Sequence, residues 1–140
     1  SRLPLGPLDV RPAGCIEDAL DALQVDFANR YIGGGVLSGG CVQEEIRFAM
    51  QPELLAALLF LELLEDNEAV LVTGAERYSS YHGYGPSLAF AAEFHDATPR
   101  DASGSLLSAL SCVDAMDFRT TAKQRDAQFE RMFVDRELQK

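Results

Sequence analysis

Apolar and polar residues follow several distinct rhythms along this chain. Val25-Asp26-Phe27-Ala28-Asn29 alternates and predicts a half-buried strand with Val25 and Phe27 on its inward face. Val42, Ile46 and Met50 recur every four residues and predict a short helix from about Val42. Gln51-Pro52 interrupts it, and Pro52 suits the first position of a second helix with Glu53 in its first turn. Residues 54–64 are apolar nearly all round, so that helix is expected to be buried on most sides. The continuous apolar run of residues 69–73, ending at Gly74, predicts a central strand. A further strand is expected at residues 110–115. These three strands are expected in one sheet with the 53–64 helix packed on it.

The remaining segments carry weaker signals. Residues 1–13 contain Pro4, Pro7 and Pro12 and are irregular, with a short Pro-limited strand expected around residues 8–10. Residues 16–24 read as a connection or a short helical turn. Residues 78–85 read as a Tyr/Gly loop and residues 96–105 as an exposed loop. Residues 120–140 read as a helix with the sparse apolar stripe Phe129, Phe133 and Leu138.

Composition narrows the classes. The chain has 140 residues, which fits one domain, and is 47% hydrophobic, which is ordinary for a globular protein. The longest apolar run, residues 54–61, is too short for a membrane span of ~18 residues or more. No signal peptide is visible, and the missing initiator Met reads as a processed form or a piece of a longer protein. A net charge of −10 makes direct binding to DNA unexpected, since that needs clustered Lys and Arg. Cys15, Cys41 and Cys112 lack CxxC spacing, and only two histidines are present. That pattern argues against a disulfide framework or a metal site and suits a reducing compartment.

The candidate chemistry lies in the middle of the chain. Five glycines crowd the eight residues 33–40, and Gln43-Glu44-Glu45 follow. A strand emptying into glycines and then a helix is a recurring way to hold a phosphate, because the backbone comes close and N–H groups point at the anion. The plain alternative is a flexible connector. The loop matches neither GxxxxGK[ST] nor GxGxxG. Adjacent carboxylates on a helix diverge by ~100°, so Glu44 and Glu45 are not expected to face one atom. One suits a general acid/base and the other substrate orientation; the alternative is a solvated acidic first turn. Asp26 and Asn29 close the strand that enters the loop, where ligands of open α/β sheets bind or where strand ends are capped. Tyr78, Tyr81 and Tyr84 offer a stacking face for a base or pack a loop.

In combination these residues resemble the poly(ADP-ribose) glycohydrolase family. The signature spans residues 26–48: Asp26 to Arg30, then GGGVLSGG, then Val42-Gln43-Glu44-Glu45-Ile46-Arg47-Phe48. Gly14-Cys15-Ile16-Glu17, Pro52-Glu53-Leu54, the 67–74 segment, Tyr78 to Tyr84 and Asp114 to Phe118 follow in family order. Residues 8–118 are covered well and 119–140 weakly.

The resemblance implies an α/β fold, a macrodomain-like mixed sheet flanked by helices. It implies hydrolysis of ribose–ribose O-glycosidic bonds in poly(ADP-ribose), releasing ADP-ribose, with no cofactor and no metal. On this chain it makes Asp26, Glu44 and Glu45 catalytic, with Glu45 the general acid/base and Glu44 holding ribose hydroxyls. It brings Asn29 and Gln43 to the ribose region and Gly33, Gly34 and Gly35 to the diphosphate. It sets Ile16 and Glu17 against adenine, with Tyr84 stacking on it. It further implies a nuclear or cytoplasmic protein of the DNA-damage response. Family catalytic domains are several times longer and carry a second, downstream phosphate loop, so residues 1–140 are expected to form one partial domain. The expected partners are poly(ADP-ribose) or ADP-ribose and the rest of its own chain or a larger assembly. The alternative is a non-catalytic ADP-ribose-binding or structural piece of such an assembly.

Overall fold

A computed structural model describes residues 6–116 and 130–139 of the chain, apart from the side chain of Phe133. Strands β1 (Leu23–Ala28), β2 (Ala69–Thr73) and β5 (Ala109–Asp114) form one mixed sheet in the order β1-β5-β2. β5 runs parallel to β1 and antiparallel to β2. Strands β3 (Ser79–His82) and β4 (Ala89–Glu93) form a separate antiparallel hairpin with an irregularity between Ser80 and Tyr81. Among the described residues the helices are α1 (Gln43–Met50) and α2 (Arg131–Glu137), with 3₁₀ segments at Ile16–Asp18, Pro52–Leu59 and Gly85–Ser87. The three strands expected in one sheet are there.

One sheet face carries the core. Ala28 from β1, Leu110 and Cys112 from β5, and Phe48 from α1 are buried with Ile32, Leu54 and Leu64. Val70 and Val72 of β2 and Leu55 and Leu58 pack against this cluster. Pro52–Leu59 therefore covers the sheet, as expected.

Several details differ from the sequence pattern. The inward face of β1 is formed by Asp26 and Ala28, whereas Phe27 is 54% exposed and Val25 only half-buried. Apolar alternation alone points the other way. Asp26 shares the inward face with Ala28, where the Arg47 charge offsets part of its own and the Glu45 charge opposes it. The apolar 54–64 run is neither one helix nor buried on most sides. It is a 3₁₀ segment to Leu59, with Leu54 2% exposed and Leu59 80% exposed. Beyond it the chain leaves regular structure, and the Leu64 N–H donates to the Arg30 carbonyl at 2.8 Å. Leu64 is buried in the core, whereas Phe60 is 81% exposed.

Among the described residues β2 is an edge strand, not a central one. Its burial alternates, with Val70 and Val72 inward and Leu71 exposed, because β5 takes the middle position. The expected 78–85 loop is instead the β3 arm of a hairpin; β4 is exposed along its whole length and so leaves no apolar alternation to read. Residues 8–10 form no strand, and Leu8 and Val10 are exposed. Of the expected 120–140 helix, α2 is described and Leu138 is exposed; Phe129 and the Phe133 side chain lie outside the described residues. No helix among the described residues is long and apolar enough to cross a membrane.

The contrast between Leu54 and Leu59 is measurable. Leu54→Ala removes a core side chain and should cost about 2–5 kcal/mol in denaturant unfolding of the chain. Leu59→Ala should stay within about 0.5 kcal/mol of wild type. Equal losses would contradict the observed orientation of this segment.

Candidate functional site

The first turn of α1 is wrapped by the glycine loop. Glu44 accepts the Asn29 N–H through Oε2 at 2.9 Å and the Gly33 N–H through Oε1 at 2.6 Å. Glu45 accepts the Gly35 N–H through Oε1 at 2.8 Å and the Val42 N–H through Oε2 at 2.9 Å. The Val42 bond also satisfies an orphan N–H at the helix start. Both carboxylates are buried.

Gly34 shows how closely they converge. Its φ is +49°, and a Cβ there would lie 2.6 Å from Glu44 Oε2 and 2.6 Å from Glu45 Oε1. The expectation that the two glutamates cannot face one point is therefore overturned. Two methylenes per side chain let the carboxylates swing together from Cα–Cβ bonds that diverge. Only glycine fits between them, on both conformational and steric grounds.

The loop's N–H groups serve the protein itself. Gly33 and Gly35 donate to the glutamates, and the Gly34 N–H donates to the Tyr31 carbonyl at 3.0 Å. The Asn29 Oδ1 accepts the Tyr31 N–H at 3.0 Å, a turn that leaves Asn29 exposed at the end of β1.

Asp26 lies on the neighbouring strand with no exposed surface. Neither of its oxygens has a partner within geometric hydrogen-bond reach. Burial pushes it up to about 6; the Cys112 thiol, its register neighbour on β5, and Arg47 oppose the rise, while Glu45 adds to it. Burial likewise pushes Glu44 up to about 7, against its two backbone N–H bonds and with help from the Asp26 and Glu45 charges. The Cys112 thiol is pushed up to about 12, chiefly by burial, so it is inert as a nucleophile.

Arg47 belongs to the site although its sequence position assigns it no role. It is buried, and its Nη1 donates to Gln24 Oε1 and, at 3.3 Å, to Gln51 Oε1. Its Nη2 lies 4.0 Å from Glu17 Oε2. Burial lowers its pKa, and the Glu17 and Asp26 charges hold it up. Its place three residues after Glu44 carries no signal, because the carboxylates it meets are Glu17 and Asp26, distant in the chain.

The other expected residues divide. Gln43 joins the centre: its Oε1 accepts the Phe27 N–H at 2.9 Å and its Nε2 donates to the Val25 carbonyl at 3.0 Å. The Tyr84 hydroxyl accepts the Gln43 backbone N–H at 3.2 Å, and the Tyr84 ring is 56% exposed. Ile16 is half-buried in a cleft of about 530 Å³ that also touches Cys15, Gln24 and Val25. Glu17, beside it, is buried toward Arg47. The three tyrosines form no single stacking face. Tyr78 reaches Glu53, Tyr81 reaches the Cys15 thiol, and Tyr84 reaches the start of α1.

Comparison with known proteins bears on this arrangement. A family model described as "Poly (ADP-ribose) glycohydrolase (PARG), Macro domain fold" matches residues 1–140. Poly(ADP-ribose) glycohydrolase 1 of Arabidopsis thaliana is 49% identical over 117 residues, covering 83% of this chain and 21% of that protein. Probable poly(ADP-ribose) glycohydrolase 2 of the same plant is 42% identical over 114 residues, covering 81% of this chain and 22% of that protein. Poly(ADP-ribose) glycohydrolase 2 of Caenorhabditis elegans is 50% identical over 76 residues, 54% of this chain and 16% of its own length. The chain thus spans about a fifth of the length of the plant relatives it matches. With the macrodomain fold and the paired glutamates held in its glycine loop, this chain belongs to the poly(ADP-ribose) glycohydrolase family.

Proposed function

We propose that this chain supplies the carboxylate centre of an enzyme that hydrolyses ribose–ribose O-glycosidic bonds in poly(ADP-ribose). The observation that carries this reading is the convergence of Glu44 and Glu45 on one point beside Gly34 of the glycine loop. An alkoxide is a poor leaving group, so the departing ribose oxygen needs a proton. Glu45 gives that proton as the C–O bond breaks, then takes one back from the water whose oxygen bonds to the anomeric carbon. One water is consumed and the acid is regenerated.

Glu45 keeps lone pairs for this work, since its two backbone N–H bonds use only half of a carboxylate's roughly four acceptor positions. Glu44 holds ribose hydroxyls. Near neutrality it carries its proton for much of the time, which spares the site a second buried anion and gives it an O–H donor. Asp26, wholly buried, acts through the field beneath the glutamates. Asn29 flanks the ribose, Ile16, Glu17 and Tyr84 flank the adenine, and Gly33, Gly34 and Gly35 form the wall on the diphosphate side.

Two measurements test the centre. In the full-length protein, Glu45→Gln should lose about 10²–10⁴-fold in polymer hydrolysis while still binding ADP-ribose. Glu44→Gln should slow turnover too, with the larger effect on ADP-ribose affinity. Wild-type hydrolysis by Glu45→Gln rejects the assignment of the acid. Wild-type protein that binds ADP-ribose and leaves the polymer intact supports the non-catalytic role.

The ionisation has its own readout. Folding raises Glu44 from 4.5 to about 7 and Asp26 from 3.8 to about 6, so the folded state holds these protons more tightly. The stability they contribute is complete below the unfolded values and is lost as pH rises through the folded ones. Thermal midpoints should therefore fall between about pH 4 and pH 7 and level off above that, and Glu44→Gln should shrink the fall by about 5 °C. An unchanged pH dependence in Glu44→Gln would remove Glu44 from the account.

A further inference from the structure

Among the described residues β1 lies at the edge of its sheet, paired on one side with β5. Its other edge presents backbone groups that an edge strand normally leaves to solvent or to another chain. At Asp26 that edge is occupied by a side chain. The Gln43 amide donates to the carbonyl of Val25 and accepts from the N–H of Phe27, the residues on either side of Asp26. A residue in a parallel neighbouring strand opposite Asp26 makes the same pair of bonds. Asp26 is thus bracketed by Cys112 of β5 on one flank and by an amide acting as a one-residue strand on the other.

We propose that Gln43 is a positioning residue, whose amide clips the first turn of α1 to the β1 edge and so sets Glu44 and Glu45 against Asp26. The catalytic part of this proposal rests on the glycohydrolase reading. The chemistry of the clip selects glutamine. Glutamate has the reach but no donor for the Val25 carbonyl, asparagine is one methylene short, and methionine has the length without either polar group. The clip is continued by the main chain, because the Gln43 N–H donates to the Tyr84 hydroxyl. One side chain and its own backbone thereby join β1, α1 and the loop after β3. The proposal differs from a ribose-contact role, because the amide spends a donor and an acceptor on the backbone of β1.

The test compares Gln43→Met and Gln43→Glu with wild type in the full-length protein. Amide hydrogen exchange at Phe27 should speed up at least about tenfold in Gln43→Met, which removes its acceptor, and less in Gln43→Glu, which keeps one. Polymer hydrolysis should fall about 10–100-fold in kcat in Gln43→Met, the scale of a small misplacement of catalytic groups. ADP-ribose affinity should fall clearly less than kcat, because Gln43 itself loses no substrate contact and only the placement of Glu44 against the ribose hydroxyls is loosened. Unchanged exchange at Phe27 overturns the clip. An affinity loss as large as the kcat loss overturns the positioning role and makes the amide a substrate ligand. Unchanged kcat in both variants also overturns that role. Wild-type protein that hydrolyses no polymer overturns the glycohydrolase reading and with it the catalytic half of the proposal, whereas the exchange measurement still decides the clip.

Discussion

Two carboxylates buried side by side need donors, and the backbone of the glycine loop provides them. Glu44 and Glu45 accept N–H groups from Asn29, Gly33, Gly35 and Val42, with no lysine or arginine among those donors. This requirement fixes the loop's composition, because its backbone must pass between two oxygens that leave no room for a Cβ at Gly34. It fixes the entry to α1, whose first orphan N–H is consumed by Glu45. It also sets the distance between the end of β1 and the helix, since Asn29 belongs to one and Glu44 to the other. A cradle of this kind suits an acidic chain, because it binds negative charge with dipoles rather than cations.

The same centre is electrostatically expensive, and the fold answers in two ways. Asp26, Glu44, Glu45 and Glu17 are all buried within one region, with Arg47 buried among them. Arg47 offsets part of that charge and ties the turn at Ile16–Asp18 to α1 through Glu17 and to β1 through Gln24. The rest is relieved by protonation, with Glu44 near 7 and Asp26 near 6. Carboxylates whose pKa values burial raises in this way cluster at functional sites. A purely structural centre of this kind gains less from such burial, because an apolar core of equal volume is cheaper.

Much of the site is legible in the order of residues along the chain. The spacing from Asp26 through the glycines to Gln43-Glu44-Glu45 marks both the elements and the family. What the spacing leaves dark is how each group is used. Helical geometry alone sends Glu44 and Glu45 apart, yet flexible side chains bring both to Gly34. Glycines that read as a cradle for a foreign anion instead present their N–H groups to the protein's own glutamates and a carbonyl. Arg47 is hidden from a linear reading because a single arginine on a short helix looks like a solvated residue until its burial is seen.

The sequence by itself determined the elements that local physics controls. Alternation marks β1, the four-residue repeat marks α1, Pro52 marks the break after it, and apolar runs mark β2 and β5 within a residue or two. Only the tertiary structure decided which face of β1 turns inward, which strand stands in the middle, and how far the run after Pro52 stays helical. Those outcomes depend on partners distant in the chain. Arg47 offsets part of the charge that Asp26 carries inward against the apolar rhythm, β5 pairs with both β1 and β2, and the Arg30 carbonyl accepts the Leu64 N–H. A local pattern records a residue's own preference for water or oil, whereas the direction it faces is set by the charges and hydrogen-bond donors that folding brings to it.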